Sequence, residues 1–311
     1  MGRHLIAAVA LAAGLAVAPL VPASAAPAQL GYTFRTFDVP GATGTQVNGV
    51  NDGGVIEGAF TDASGQHGFV DRAGGLARFD FPGTSGVTQA FAIDNAGDVV
   101  GVYTDGAGAS HGFRRSPGGA ITALPSPSGA GTGSGQGTFP TGITDSGEIV
   151  GFYIGADGVA HGYAQRPGGR FTVIDAPGAG RAAGRGTFLF SVNDRGVICG
   201  GYVTSGNVEF GLVDRGGQFT SIDDPATPQN AAGGTDADGF AQGAVVGDYL
   251  DANGGELGYL DQGGQFLTVA APAGGDAPGQ GTVITATNDQ LTLTGFYISS
   301  GAEHGLLAHP R

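Results

Sequence analysis

The chain has 311 residues, a formal net charge of −14 with 27 acidic and 13 basic side chains, one cysteine and no tryptophan. This charge argues against nucleic acid as a partner, because phosphate backbones would be repelled, and a single cysteine excludes an internal disulfide. Every basic residue is an arginine, which also excludes a lysine nucleophile or Schiff base.

The first 26 residues have the pattern of a secretory signal peptide. Arg3 and His4 form a polar start, residues 5–20 are almost all Ala, Leu, Val or Ile, and Ala23-Ser24-Ala25 is a small-residue cleavage site. We therefore expect residues 27–311 to form one extracellular domain. No later stretch is apolar and long enough for a membrane-spanning helix, so we expect no span after signal removal.

From residue 27 onward a unit of about 47 residues recurs six times. Each copy has a glycine that is followed two residues later by an aromatic side chain and, nine or ten residues later, by a second motif such as His-Gly-Phe. The six glycines are Gly58, Gly101, Gly151, Gly200, Gly247 and Gly295. A period of this length is typical of β-propeller blades.

Short runs of β-branched and aromatic residues, bounded by Gly, Asn and Asp, predict about four antiparallel strands per unit. In mid-chain the predicted strands are 120–124, 139–143, 149–153 and 161–164, and strand 171–175 opens the next unit. No helical periodicity appears after the N-terminus. We predict an all-β, six-bladed β-propeller that forms a single domain and is monomeric, because sheets stacked around an axis cover each other's faces.

The repeat resembles the extracellular HAF-repeat family of secreted bacterial proteins. The resemblance lies in the Asn-Asp-x-Gly turn (Asn51 to Gly54), the strand from Ile149 to Tyr153 and the His-Gly-Phe ending (His67 to Phe69), and it covers essentially the whole mature chain. It implies a secreted, propeller-like protein and no particular activity. Two units depart from the pattern, because Phe210 and Leu257 replace the histidine.

Four histidines occupy the same place in their units: His67, His111, His161 and His304. One interpretation is a ring of metal ligands or proton carriers. We favour a structural role, in which each imidazole bonds to an Asp or a turn carbonyl of its own blade. Blades hold the histidines too far apart for one metal ion, so we expect no metal and no cofactor.

Four aspartates follow the strand that is predicted to open a unit: Asp38, Asp80, Asp175 and Asp223. If these strands line the axis, a pair of carboxylates could act as acid and base or nucleophile on a glycosidic bond. The aspartates of the Asn-Asp turns, such as Asp52, are instead expected to bond the backbone of their own turn.

The connection that follows each of these strands varies most between units. Units three to six carry longer loops, at residues 126–138, 178–187, 226–238 and 273–282. Equivalent loops of a repeat emerge on one face and often mark a binding face. The candidate ligand-binding residues on these loops are Arg181, Arg185, Asn230, Asp236 and Asp276.

These observations favour a binding module for an extracellular glycan or peptide on the long-loop face. One alternative is a glycan-active hydrolase or lyase with Asp and Arg residues at the propeller axis. Another is a structural or surface-interaction protein without catalytic activity. The sequence contains no motif that decides whether the protein is an enzyme, and none that identifies the ligand.

Overall fold

The computed structural model describes residues 31–84, 86–225, 227 and 234–311. The predicted signal at residues 1–26 lies outside these ranges. Within them the regular structure consists of 24 strands and no helix, so no described helix is long and apolar enough to cross a membrane. The prediction of an all-β chain is confirmed.

The strands form antiparallel groups of four, and each group follows the repeat of the sequence. We call each group a unit. In units 1 to 3 consecutive strands pair with one another. After β1 (Tyr32–Phe37), these strands are β2 (Gly44–Val50), β3 (Ile56–Asp62), β4 (Gly65–Arg72), β5 (Gly75–Phe79), β6 (Thr88–Ile93), β7 (Val99–Thr104), β8 (Ser110–Arg115), β9 (Ile121–Ala123), β10 (Gly137–Ile143), β11 (Ile149–Ile154), β12 (Ala160–Gln165) and β13 (Phe171–Ile174).

Units 4 and 5 repeat this order, and unit 6 takes its fourth strand from the other end of the chain. There β1 pairs with β24, with Phe34 opposite Ala308. The remaining strands are β14 (Gly186–Val192), β15 (Val197–Val203), β16 (Glu209–Arg215), β17 (Phe219–Ile222), β18 (Gly239–Ala241), β19 (Ala244–Leu250), β20 (Glu256–Gln262), β21 (Phe266–Val269), β22 (Gly281–Thr287), β23 (Leu293–Ser299) and β24 (Ala302–Pro310).

The strand that precedes each of the aspartates Asp38, Asp80, Asp175 and Asp223 closes a sheet and does not open the next one. In unit 3, Phe171 on β13 pairs with Gln165 on β12. The connection between them contains Gly168 and Gly169, which both have positive φ. Such a short glycine hairpin places its two strands side by side, so the prediction that 171–175 opens the next unit is wrong.

The hydrophobic core lies mainly between neighbouring units. Val150 of unit 3 packs in one cluster with Leu189 and Val192 of unit 4. Phe152 of unit 3 meets Phe188 of unit 4 edge to face, with ring centroids 5.1 Å apart. Each sheet therefore buries its apolar face against the next sheet, which a single four-stranded sheet could not do.

The first strands of the units surround a shared cavity of about 90 Å³, lined by residues from all six units. Units 6 and 1 are in direct contact there. The Thr285 hydroxyl donates to the carbonyl of Val47 (2.8 Å), and the Asn288 amide donates to the carbonyl of Asn51 (3.1 Å). This arrangement of sheets is propeller-like.

The Asn-Asp turns at one end of this cavity connect neighbouring units. Asp52 Oδ1 accepts the backbone N–H of Asp289 (2.9 Å), and Asn95 Oδ1 accepts that of Asp52 (2.9 Å). In the same way, Asp145 Oδ1 accepts the N–H of Asn95 (2.8 Å), and Asp194 Oδ1 accepts the N–H of Asp145 (2.7 Å). The series therefore runs from unit 6 through units 1, 2 and 3 to unit 4.

The expectation that Asp52 bonds the backbone of its own turn is wrong, because the preceding asparagine already does so. Asn51 Oδ1 accepts the N–H of Val55 at 3.0 Å, and Asn193 makes the equivalent bond to Val197. The aspartate is then free to reach the next unit. Unit 5 has Ala241 at this position, so it offers no side-chain acceptor to the series.

Candidate functional site

The long loops lie at the other end of the sheets, next to the hairpins that join second and third strands. In loop 178–187 the N–H of Gly180 donates to Val203 of unit 4 (2.8 Å), and the N–H of Gly184 donates to Gly158 of unit 3 (3.0 Å). Loops 126–138 and 273–282 make equivalent bonds. These loops are thus fastened between two hairpins and present fixed side chains.

A Gly-x-Gly-Thr motif, which the sequence analysis missed, fastens the ends of these loops. Gly184 and Gly186 have φ of 76° and 126°, and a Cβ on Gly186 would lie 2.0 Å from the carbonyl oxygen of Ala160. Thr187 Oγ1 accepts the backbone N–H of Ala176 at 2.8 Å. The signal was visible in the sequence, because the motif recurs at 135–138, 184–187 and 279–282.

Three of the repeat histidines contact the aspartate that follows the fourth strand of their own unit. The Nδ1-to-carboxylate distances are 2.7 Å for His67–Asp80, 2.9 Å for His161–Asp175 and 3.0 Å for His304–Asp38. In unit 2 the fourth strand is followed by Leu124, and His111 Nε2 instead contacts Asp105 at 2.9 Å. All four imidazoles therefore have a carboxylate partner within their own unit.

Each of these imidazoles also packs against the aromatic ring that follows the repeat glycine, and three of the four pairs are stacked. The ring centroids of Tyr153 and His161 are 5.1 Å apart, with 25° between the ring planes. Tyr297 and His304 stack in the same way at 5.0 Å. The two recurrent motifs of the sequence thus meet as cross-strand neighbours, and together with the aspartate they fix the orientation of the imidazole.

The four candidate catalytic aspartates do not meet at the axis. Asp38, Asp80, Asp175 and Asp223 follow fourth strands, whereas first strands line the central cavity. The condition that their strands surround the axis is therefore not met.

Unit 1 adds a serine to its His–Asp pair. Ser64 Oγ lies 2.9 Å from His67 Nε2, so Ser64, His67 and Asp80 have the hydrogen-bond order of a catalytic triad. Ser64 Oγ is closer still, at 2.5 Å, to Asp62 Oδ1. Its single proton goes to Asp62, and these bonds from Ser64 lower the pKa of the Asp62 carboxyl. These hydrogen bonds stabilise the hairpin between β3 and β4, and they leave Ser64 without the activation that a nucleophile needs.

A cleft of about 380 Å³ opens between units 3 and 4 on the long-loop face. We call it the His161 cleft, and its polar lining consists of Asp157, His161, Asp175 and Arg181. Pro177 and small residues of the loop complete the wall. The volume lies in the range of about 300 to 1,000 Å³ that is usual for small-ligand sites.

Arg181 is the one sequence-predicted binding residue that lines this cleft. No carboxylate of the described residues lies within ion-pair distance of its guanidinium, whereas His161 and Asp175 are engaged with each other. Asp276 is exposed at the corresponding position of loop 273–282. Equivalent loops thus present opposite charges.

The other predicted binding residues lie elsewhere. Arg185 packs across Gly180, and its backbone carbonyl accepts the N–H of Ala160. Asp236 is fully buried, with Oδ1 close to Gly201, so it cannot contact a ligand in solvent, and its assignment is wrong. The reason is that residues 235–238 run inside the fold towards the first strand of unit 5. Asn230 lies outside the described residues.

The charges of the His161 cleft favour neutral polar ligands that both donate and accept hydrogen bonds. The cleft offers carboxylate acceptors, guanidinium donors and an imidazole that can act as either.

A second cavity, of about 150 Å³, is lined by the Asn-Asp turns of the central axis. Its carboxylates include Asp52, Asp145 and Asp194, which already accept bonds between units. In the part of the chain that the structure describes, no group of three or more His, Cys, Asp or Glu side chains is arranged to hold a metal ion. The bonds of these turns connect neighbouring units.

No protein-family model matches this chain, and no curated protein matches it. Among solved structures, AofleA from Arthrobotrys oligospora matches with a TM-score of 0.50 and 11% identity over 88% of each chain. The β-propeller domain of the Trilobed protease from Pyrococcus furiosus has a TM-score of 0.49 and 10% identity, covering 86% of this chain and 95% of that one. At such identity the likeness is one of fold.

A fungal lectin structure described as a six-bladed β-propeller, that of Aleuria aurantia lectin with its fucose recognition mode, matches with a TM-score of 0.43. The identity is 11%, over 85% of this chain and 94% of the lectin. Fucose recognition is a property of that lectin.

Proposed function

We propose that this protein is a secreted, six-bladed β-propeller that binds an extracellular glycan in the His161 cleft. One observation carries the proposal. A fixed His161–Asp175 pair, the Asp157 carboxylate and the Arg181 guanidinium line one open cavity of about 380 Å³. Four polar side chains around one cavity suit a hydroxyl-rich ligand better than a wholly apolar one.

The chemistry of the lining supports a sugar. Each sugar hydroxyl can donate to a carboxylate and accept from a guanidinium, and both groups are present on the same wall. Pro177 also lines the cleft, and its ring offers an apolar surface to the C–H face of a sugar. A peptide ligand would require partners for its backbone N–H and C=O groups as well.

Six antiparallel groups of four strands and the bonds between units 6 and 1 support a closed six-bladed ring. The signal pattern of residues 1–26 supports secretion. The resemblance of the repeat to HAF-repeat proteins agrees with both. In this architecture each cleft lies between two blades, so its shape depends on both neighbours and on the loop that joins them.

The proposal is tested by screening residues 27–311 on a glycan array and measuring the affinity of the strongest ligand by calorimetry. Two variants address the cleft. Arg181→Asp introduces the residue that Asp276 provides in the equivalent loop, and His161→Ala removes the imidazole. We expect each to weaken binding by about ten-fold or more, since each removes a charge-assisted bond or its orienting partner.

The matched control is His304→Ala. The His304–Asp38 pair has nearly the same geometry, at 3.0 Å, but the following connection is short and has no arginine. We expect unchanged affinity. If no glycan binds, or if His304→Ala weakens binding as much as Arg181→Asp does, the His161 cleft is not the site. Released oligosaccharide in the same samples would show a hydrolase or lyase instead.

A further inference from the structure

A larger groove lies between units 3 and 4 and begins at the turn end of the sheets, away from the long loops. It has a volume of about 860 Å³ and runs along β13 on one side and β15 to β17 on the other. Three arginines line it, Arg166, Arg195 and Arg215, and we call it the arginine groove. It extends as far as Asp175, which also lines the His161 cleft.

The guanidiniums of these three arginines make no close ion pair with a carboxylate of the described residues. Arg166 Nε lies 3.8 Å from Glu148 Oε1, a long contact in which the arginine is largely exposed. No carboxylate of the described residues lies within ion-pair distance of Arg195 or Arg215. The guanidinium of Arg215 stacks over the ring of Phe240, 5.2 Å from its centroid, which limits its movement.

The remaining carboxylates of the groove already have structural partners. Asp214 Oδ1 accepts the N–H of Gly217 at 2.6 Å and so closes the hairpin between β16 and β17. Asp261 closes the equivalent hairpin of unit 5 through Gly264, which shows that this aspartate belongs to the repeat. Asp175 is bonded to His161. The three arginines and the three carboxylates of the groove thus balance in formal charge, but Arg195 and Arg215 have no carboxylate among the described residues to hold their guanidiniums.

Arg195 is not required by the turn that carries it. The corresponding turn position is Gly53 in unit 1, Ala96 in unit 2 and Ser146 in unit 3, and those turns close with the same backbone bonds. A long, exposed cation at a position that tolerates glycine, alanine and serine is explained better by a ligand than by the fold.

Apolar side chains also line the groove. Val173 on β13 is 53% exposed and is the one large hydrophobic side chain that the described residues expose. Val197 and Phe219 line the groove from β15 and β17. Arginines beside apolar side chains match a ligand that has carboxylates at its edge and C–H groups on its face.

We propose that the arginine groove binds a carboxylate-bearing glycan, namely a segment that contains uronic acid. The choice of a glycan rests on the proposed function, whereas the choice of a carboxylate rests on Arg195 and Arg215. Their planar guanidiniums can hold a carboxylate through two parallel hydrogen bonds, which a neutral sugar cannot accept in this way.

The test measures the affinity of residues 27–311 for trigalacturonic acid and for neutral maltotriose by calorimetry at low salt. We expect trigalacturonic acid to bind and maltotriose to bind more weakly or not at all. Arg195→Ala, which copies Ala96 of unit 2, and Arg215→Gln should each weaken the acid's binding about five-fold. Binding should also weaken as salt rises to about 0.5 M.

The matched control is Arg72→Ala, because Arg72 holds in unit 1 the place of Arg215. We expect it to bind trigalacturonic acid like the wild type. Equal losses for Arg72→Ala and Arg215→Gln would show a general charge effect and overturn the proposal. Tighter binding of a hexaglutamate peptide would overturn it in favour of an acidic protein partner.

The test of the arginine groove can be distinguished from the test of the His161 cleft. Arg181→Asp should weaken binding of the glycan that the array identifies, and Arg195→Ala should leave that binding unchanged. If the array finds no ligand while trigalacturonic acid binds in an Arg195-dependent way, the proposed function of the cleft fails and the groove stands. If only Arg181→Asp has an effect, the groove is not a site.

Discussion

Glu57 is the residue of the core that conflicts most with its surroundings. It is fully buried, and neither carboxylate oxygen has a hydrogen-bond partner. Burial raises the pKa of this carboxyl well above its usual range. It lies opposite Gly49, where a Cβ would be within contact distance of the Glu57 carboxyl. Other units have small residues at this position: Val100, Val150, Cys199, Val246 and Thr294.

We predict that Glu57→Val stabilises the protein at pH 8 by about 2 kcal/mol, because it removes the desolvation of an unpaired acid. The variant recreates the pair formed by Gly142 and Val150 in unit 3. The free energy of unfolding, measured with urea at pH 8, checks the prediction. A variant less stable than the wild type would mean that Glu57 has a partner in solution.

The same residue sets a pH dependence. With a raised folded pKa, the folded state holds a proton that the unfolded state loses above about pH 4.3. Stability should therefore fall as pH rises from that value towards the folded pKa. Glu57→Gln should flatten this part of the curve while keeping the shape of the side chain. Parallel curves for wild type and Glu57→Gln between pH 5 and pH 8 would contradict the interpretation.

For single residues, the sequence predicts the place in the repeat better than it predicts the contacts that the side chain makes. Aligning the repeat identifies Glu57 as unusual, and it places His161 and Tyr153 in register. It does not show that Asp175 reaches His161, because that contact depends on β13 folding back onto β12. Nor does it show that Asp236 is buried, since residues 235–238 are loop-like and polar in sequence.

Among the elements, the long loops depend most on glycine. At Gly184 only the positive φ of 76° opposes a side chain, because a Cβ added there would have no other atom within 4 Å. At Gly186 a Cβ would also collide with the backbone of Ala160. These two neighbours thus separate the effect of backbone conformation from that of close approach.

We predict that Gly184→Ala lowers the free energy of unfolding by about 1 kcal/mol and Gly186→Ala by about 3 kcal/mol or more. The difference arises because unit 4 must move away from Ala160 to admit the methyl group. Thermal and urea unfolding check both values. Equal effects of the two substitutions would show that the loop adapts without strain.

The strands were easier to predict than their grouping. The runs of β-branched residues place β11 at Ile149–Ile154, one residue longer than predicted. The assignment of 171–175 to the next unit failed because an alignment of repeats does not show at which strand one sheet ends and the next begins. Only the glycine hairpin at 168–169 shows which neighbour the strand joins, and turn chemistry was the signal to follow.

For the molecule as a whole, the pairing of β1 with β24 joins the two ends of the described chain. Tyr32 is buried and donates its hydroxyl proton to the carbonyl of Leu291 (3.2 Å). Thr36 bonds the hydroxyl of Tyr297 at 3.1 Å, and Asp38 contacts His304. Unit 6 without β1 would have an exposed edge at β24 and an incomplete core.

We predict that a variant starting at residue 39 unfolds with a free energy lower by more than about 3 kcal/mol, because it loses the buried ring of Tyr32 and one whole strand ladder. Circular dichroism and thermal unfolding check this. Asp38→Asn is the control, since it keeps β1 and weakens only the contact with His304. If the truncated variant were as stable as this control, β1 would not complete the fold.

The β1–β24 pairing also determines when unit 6 can be completed during synthesis of the chain. A ribosome makes β1 among the first of these strands and β24 last, so β1 has no partner until synthesis of this region is complete. Joining strands so distant in sequence carries a large loop-closure entropy, and such contacts form slowly. Unit 6 therefore stays incomplete until β24 has been made, and its fourth strand is the last to be added.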